Sequence, residues 1–405
     1  MHQSTQMLDK IATLALISGA DAADAVCFQT VDVGLSCRHG RQEGLERSES
    51  EVVNLRVFIG SSQAIVSSTD CSPEAITRLV EHAVAMARAT PPDALAGLAN
   101  PEIIAKSIPD LDLCEVDEPS VEWLFSTACE AEETALSTSG ITNSEGADAS
   151  YSRSQIALAV GRAGGIEFLQ HYQTSHSSLS VSVLAGTGTD MQRDYDFSTA
   201  RHRANLRPAI TLGATAASRA LARMNPRKIN SAIWPVIYDP RVARSLLSSF
   251  AACINGASVV RGSTFLKNAL NTAVFSPAIT IVDDPTRLRG LASKPFDGEA
   301  VLTAPRTLVE KGTLKSWVLD VRSANALGLT STGHATRGVG SPPSPSSSNL
   351  YIEAGIASRE TLFKQMGTGL YITETFGTGI NHITGDYSQG ASGFWIEGGA
   401  IAYPV

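Results

Sequence analysis

Apolar residues recur at helical spacing over residues 4–18, where Met7, Leu8, Ile11, Leu14 and Ala15 form one stripe behind Ser4, a suitable first-turn cap. A second stripe, Ile76, Leu79, Val80, Ala83, Val84 and Ala87, starts after Ser72-Pro73 and stops before Pro91-Pro92. Between them the pattern changes to a run of short strands. "DAVCFQTVDVGLSCRHG" is strand-like, and "ERSESEVVNLRVFIGSSQAIVSSTD" alternates through Val53, Leu55 and Val57 before turning at "GSS". The same order then returns. "DEPSVEWLFSTACEAEETAL" predicts a helix with Leu124, Phe125, Ala128 and Leu136 inward, followed by the strands "QIALAV", "GGIEFLQHYQ" and "SLSVSVLAG" and a helix over 209–224. Helix, strands, helix occurs twice before residue 225, which reads as a structural duplication without a residue-level repeat.

Past residue 230 the texture differs. "SAIWPVIYD" is a strand leading into Asp239-Pro240, a helix cap and first turn, and "RVARSLLSSFAACI" places Val242, Leu246, Phe250 and Ile254 on one side. "VLTAPRTLVEKGTLKSWVLD" predicts a hairpin turning at Lys311-Gly312, and the Ser/Pro-rich residues 340–348 predict a surface loop. Strand-like "NLYIEAG", a short helix near 358–366 and glycine-rich closing strands complete the chain. The closing "ASGFWIEGGAIAYPV" reads as two strands joined at Glu397-Gly398-Gly399, with Phe394, Trp395, Ile396 and Ile401 buried. The expected fold class is α+β, in two parts. Residues 1–225 carry helices with antiparallel sheets, and 226–405 form a mainly β domain with a few helices.

Composition narrows the function. A chain of 405 residues with 43% hydrophobic and 18% charged residues has enough apolar content for packed cores. Its formal net charge of -8, with no Lys/Arg run, disfavours nucleic acid as a partner. Cys27, Cys37, Cys71, Cys114, Cys129 and Cys253 are scattered, a pattern that suits free buried thiols in a reducing compartment. The start lacks the pattern of a signal peptide and no apolar run is long enough for a membrane span, so a cytoplasmic location is expected.

Catalytic motifs are mostly missing. No GxSxG elbow or GxxxxGK[ST] loop occurs, and "GTGTD" at 186–190 reads as a turn. His171 and His176, five apart in a strand-like region, point to opposite faces and cannot share an ion. His334 and His382 have no nearby partner in sequence, and Asp297 with Glu299 in "FDGEA" read as a polar turn. The glycines at 377, 379, 385, 390 and 393 let backbone run close to backbone or to a ligand, shaping a core, a subunit contact or a peptide-facing wall, and Asn381, His382 and Asp386 are the candidate substrate-binding residues of such a wall. The same three side chains are better suited to holding the loop's own backbone. No catalytic residue and no metal ligand is assigned.

Three ordered blocks carry a resemblance: "FDGEAVLTAPRTLVEKGTLKSWVLDVRSANALGLTSTGHA", "NLYIEAG" and "GTGINHITGDYSQGASGFWIEGGAIAYPV". Together with "EGLERSESEVVNLRVFIGSSQAIVSSTD" near the start, they closely resemble the TldD/PmbA family, first described as modulators of DNA gyrase and better understood as peptidases. The resemblance covers nearly the whole chain. Its TldD branch carries an HExxxH helix and a later cysteine that bind one zinc. Here Ser248, Ser249 and Cys253 stand at the three motif positions, and no cysteine follows Cys253. The chain is therefore similar to the PmbA branch, also called TldE, and Cys253 reads as a buried structural thiol.

What the resemblance implies is a subunit with no cofactor of its own, paired as a heterodimer with a TldD-like partner that holds the zinc. The pair would degrade unfolded peptides in an enclosed chamber, with this chain supplying wall and dimer contacts. The alternative is a non-enzymatic homodimer that holds peptides or a client protein.

Overall fold

The computed structural model describes residues 3–377 and 379–405. Its N-terminal part is one six-stranded antiparallel sheet with strand order β3-β2-β1-β4-β5-β6. The strands are β1 (Ala22–Arg38), β2 (Arg41–Ile59), β3 (Ser62–Ser68), β4 (Ile141–Arg162), β5 (Gly165–Ala185) and β6 (Gln192–Ala200). Helices α1 (Gln3–Ile17) and α2 (Pro73–Ala89) flank the first three strands, and α3 (Val121–Leu136) and α4 (Ala209–Ala222) flank the last three. The duplication is thus visible as two helix–meander–helix units joined where β1 pairs antiparallel with β4.

The strands are far longer than the sequence suggested. "GGIEFLQHYQ" and "SLSVSVLAG" are one strand, β5, and "QIALAV" is only the end of β4. The hydrophobic pattern breaks at polar middles such as Thr174–Ser178, but no Gly or Pro turns the chain there, so the ladder continues.

Side-chain period explains the layering. Ala23, Ala25 and Cys27 of β1 pack under α1 and α2 with Leu8, Ile11, Val80 and Ala83, whereas Val33, Leu35 and Cys37 pack under α3 and α4 with Leu124, Ala128, Leu212 and Ala216. All six β1 residues are odd-numbered, so all four helices cover one face of the sheet. A polar row crosses that face between the two cores. Gln29 Nε2 donates to Glu51 Oε1 at 2.7 Å, Gln155 Nε2 to Gln29 Oε1 at 3.0 Å, and Gln173 Nε2 to Gln155 Oε1 at 2.9 Å. Within the second core the Sγ atoms of Cys37 and Cys129 lie 2.7 Å apart, a pair the sequence spacing hides.

The C-terminal part contains β7 (Val236–Tyr238), α5 (Pro240–Cys253), α6 (Gly256–Val260), β8 (Ile281–Asp283), β9 (Arg306–Glu310) and β10 (Thr313–Leu314). It continues through α7 (Val321–Leu327), β11 (Ala335–Thr336), β12 (Ser344–Pro345), β13 (Leu350–Ile352), α8 (Arg359–Met366), β14 (Gly369–Phe376), β15 (Gly390–Glu397) and β16 (Ala400–Pro404). One four-stranded sheet has the order β10-β9-β8-β13 and another β16-β15-β14-β7. Lys311 and Gly312 turn β9 into β10 with φ of 45° and 79°, and Gly398 and Gly399 turn β15 into β16 with 58° and 77°, both primed-type hairpins.

Two expectations need correction here. Residues 340–348 are not simply a surface loop, because Ser344–Pro345 pairs with Ala335–Thr336 and both Pro343 and Pro345 are buried. A two-residue edge strand needs few N–H donors, so proline is tolerated there. Ile401 is half-exposed, unlike Phe394, Trp395 and Ile396, because β16 is the outer strand of its sheet.

The second face of the six-stranded sheet holds the C-terminal part. Val26, Leu158, Val160 and Phe168 pack against Phe296, Ala300, Val301 and Val321. Beside this apolar contact lies a buried ionic network. Asp24 of β1 bonds Arg56 of β2 and also Arg337, while Arg56 lies 3.8 Å from Glu299. No helix among the described residues is long and apolar enough to cross a membrane.

Candidate functional site

Where the second face reaches β6, the C-terminal part stands off and leaves a cleft of about 640 Å³. Its floor comes from β4, β5 and β6 (Asp148, Ser180, Ser182, Arg193 and Tyr195), and its other wall from α5 and the end of β14. Asp239 starts α5 by accepting from the Arg241 N–H at 2.9 Å, with Pro240 supplying the pre-set first turn. That cap also aims Arg241 at the sheet. Arg241 Nη1 meets Asp194 Oδ1 at 2.8 Å and Arg223 Nη1 meets Asp194 Oδ2 at 3.3 Å, so one buried carboxylate holds two guanidinium groups. Arg223 continues to Glu374 of β14 at 2.5 Å, and the Tyr195 ring lies between Arg193 and Arg241, 5.7 Å and 5.6 Å from their guanidinium carbons.

Electrostatics favour the charged forms of Arg241 and Asp239. Burial works against the Arg241 charge, but Asp194 and Asp239 outweigh it and hold the pKa above the ordinary value. Burial would raise the Asp239 carboxyl, yet the Tyr371 hydroxyl and the Arg241 N–H bring it below the usual range. The Tyr371 phenol, buried and donating to Asp239, is pushed up to about 12. Arg244 differs. It is exposed, lines the cleft and lies over the Phe197 ring at 5.3 Å, with no ion pair among the described residues.

β14 brings main chain to the same cleft. It pairs in parallel with β7 only from Leu370 to Ile372, because β7 ends where α5 begins. Beyond a bulge between Ile372 and Glu374, the side of Glu374–Phe376 away from β15 pairs with no strand among the described residues. Thr373 sits at this bulge with its buried Oγ1 unpartnered. Gly393 makes the close approach to β15 feasible, since a Cβ there would lie 2.0 Å from the Tyr371 carbonyl oxygen.

The family to which the sequence points implies a zinc ion, and α5 is the helix that would carry its ligands. The residues present do not fit one. Ser248 Oγ donates to the Arg244 carbonyl at 3.1 Å and Ser249 Oγ to the Ser245 carbonyl at 2.9 Å, so both hydroxyls serve their own helix. Cys253 is buried, which pushes its thiol up. Among the described residues no group of three His, Cys, Asp or Glu side chains is placed to hold a metal ion.

Asn381, His382 and Asp386 lie on a separate exposed hairpin closed by the Ile380–Tyr387 bridge, and none of them lines the cleft. Asn381 Oδ1 accepts from the N–H groups of Ile383 at 3.0 Å and Thr384 at 3.4 Å. Asp386 accepts from the Thr384 hydroxyl at 2.7 Å, and the His382 carbonyl accepts from the Phe265 N–H while its Nε2 is unpartnered. His334 is buried between Asp283 and Thr332, and His171 and His176 sit on opposite faces of β5. Asp297 does form a polar turn, accepting from Glu299 and Val301 N–H groups, but the turn is deeply buried and fastened to Ala335. The cleft residues Asp194, Arg223, Arg241 and Glu374 were missed. A signal was present in "QRDYDFSTA", where Asp194 and Asp196 alternate along a strand and meet arginines four apart, Arg219 on α4 and Arg223 at its C-terminal cap.

This fold, with a charged cleft where α5 and β14 meet the end of the sheet, matches a known metallopeptidase class. Family models described as PmbA/TldA metallopeptidase domain 1, central domain and C-terminal domain match residues 23–87, 67–224 and 231–405. The chain is 39% identical to "Metalloprotease PmbA" of Escherichia coli O157:H7, over 97% of this chain and 85% of that one. It is 36% identical to the PmbA homolog of Haemophilus influenzae, over 100% and 86%. Among solved structures, TldE from Thermococcus kodakarensis superposes with a TM-score of 0.85 at 17% identity, covering 98% of this chain and 89% of that one. A Bacteroides thetaiotaomicron VPI-5482 structure described as a proposed modulator of DNA gyrase gives 0.88 at 22%, covering 100% and 90%. The chain belongs to the PmbA/TldD metallopeptidase family.

Proposed function

We propose that this chain is the non-zinc subunit of a cytoplasmic, two-subunit peptidase that degrades or processes unfolded peptides. A TldD-like partner would hold the metal, and this chain would supply a wall of the chamber and dimer contacts. The observation that carries the reading is α5: at the motif positions its two serine hydroxyls bond their own helix carbonyls and its one thiol is buried. The cleft beside α5 suits extended peptide, because the unpaired side of Glu374–Phe376 can accept main-chain hydrogen bonds without reading sequence. Nucleic acid fits poorly with a net charge of -8.

The test is metal content and peptide hydrolysis, measured on the chain alone and after mixing with a TldD-like chain. The expected result is a metal-free, silent chain alone and EDTA-sensitive cleavage in the mixture. Cleavage by the isolated chain overturns the reading. Peptide binding with no cleavage in any mixture favours the non-enzymatic binding protein instead.

A further inference from the structure

We propose that Cys37 and Cys129 form a reversible disulfide, an oxidation site that ties the end of β1 to the middle of α3. Their Sγ atoms lie 2.7 Å apart inside the second core, across 92 positions of sequence. A disulfide bond is roughly 2.05 Å long, so the two sulfurs have well under an ångström left to close. Local structure places both. Cys37 follows the register shift of β1 and stands two residues before the turn at His39-Gly40. Cys129 lies on the buried side of α3 with Ala128, Ala131 and Ala135.

One carboxylate completes the site. Glu132 follows Cys129 by three residues, which sets both on the same side of α3. It is wholly buried, and its Oε2 accepts from the Gly40 N–H at 3.1 Å and faces the Cys37 thiol at 3.8 Å. Its Oε1 is buried and unpartnered. A buried carboxylate oxygen without a donor is costly, and a proton taken from a thiol relieves it. Burial, with Cys129 and Glu132 beside it, pushes the Cys37 thiol up, so this sulfur keeps its proton until a base removes it.

Hydrogen peroxide is the oxidant, small enough to reach Cys129, which is 8% exposed against 1% for Cys37. The Cys129 sulfur attacks one peroxide oxygen and the O–O bond breaks. The departing hydroxide and the thiol proton leave as water, and Cys129 is now a sulfenic acid. Cys37 then passes its proton to Glu132 and attacks the Cys129 sulfur. The S–O bond breaks, and the second hydroxide takes that proton from Glu132. Two thiols and one peroxide thus give one disulfide and two waters. In a reducing compartment such a bond forms when peroxide rises and is undone by thiol exchange.

The test is oxidation of the folded full chain with limiting hydrogen peroxide, then alkylation and non-reducing peptide mapping. The expected result is a peptide joined through Cys37 and Cys129, with loss of two of the six free thiols and full recovery in dithiothreitol. The oxidised chain should melt roughly 5 °C higher, because the bond restricts a long loop of the unfolded chain. Amides of α3 and α4 should exchange about tenfold more slowly, with α1 and α2 unchanged. Cys129→Ala should abolish the link and Cys114→Ser should keep it. Glu132→Gln should slow closure roughly tenfold or more at the same final yield. A wild type with no Cys37–Cys129 peptide, or one that forms it only in denaturant, overturns the proposal. Closure indifferent to Glu132→Gln overturns the role given to that carboxylate. Neither result bears on the peptidase reading, which rests on α5.

Discussion

Arg337 Nη1 donates to Asp24 Oδ1 at 2.6 Å, joining β1 to a segment 313 residues later in the chain. Both side chains are buried, and Arg56 completes the site from the other side of Asp24. Arg337→Met should leave Asp24 with half its compensation and cost about 3–5 kcal/mol, the usual penalty for breaking a buried pair. Urea denaturation compared with the wild type checks this. A loss below 1 kcal/mol would mean that the pair contributes little.

Glu299 gives the same junction a pH dependence. Burial, reinforced by Asp297, pushes its carboxyl up to about 8, with Arg56 pulling the other way. The folded chain therefore keeps this proton above the pH at which the unfolded chain, near 4.5, releases it. The stabilisation is complete below about 4.5 and is lost as pH rises toward 8. Glu299→Gln should flatten the fall in melting temperature over that window. Equal slopes for variant and wild type would contradict it.

Gly393→Ala tests the close approach of β15 to β14. The added methyl would meet the Tyr371 carbonyl oxygen at 2.0 Å and the Ile372 Cα at 2.9 Å, both backbone atoms that cannot swing away. Destabilisation of about 1–3 kcal/mol is expected, the range for overpacking, together with loss of peptide capture at the Glu374–Phe376 edge. Calorimetry and a peptide-binding assay read the two effects separately.

Asn381 holds its hairpin through two N–H groups, so Asn381→Ala should raise amide exchange at Ile383 and Thr384. A local cost of about 1 kcal/mol is expected, and Asn381→Asp should retain most of the protection. If the three hairpin residues contact peptide as well, His382→Ala should weaken binding while leaving the exchange pattern unchanged.

Local chemistry was legible in the sequence. The α2 stripe behind Ser72-Pro73, the Asp239-Pro240 start of α5 and the Lys311-Gly312 turn each follow from residues adjacent in the chain. Strand length was not, because the polar middles of β4 and β5 are held by neighbouring strands and not by their own apolar pattern. The cleft was hidden for a similar reason. Asp194, Arg223, Arg241 and Glu374 are spread over 181 positions, and only the packing of α5 and β14 against the sheet end brings them together. The buried Asp24–Arg337 link joins residues 313 positions apart, which no local spacing reveals.

The glutamine row across the helical face has a thermodynamic consequence. Because Gln29, Gln155 and Gln173 interrupt the apolar contact, the two helix pairs share strands but no common oily interior. Each pair with its strand ends can then open as its own cooperative unit, and native-state deuterium uptake should show two blocks of amides with different opening energies. The continuous β1 and β4 would act as the hinge that survives both events.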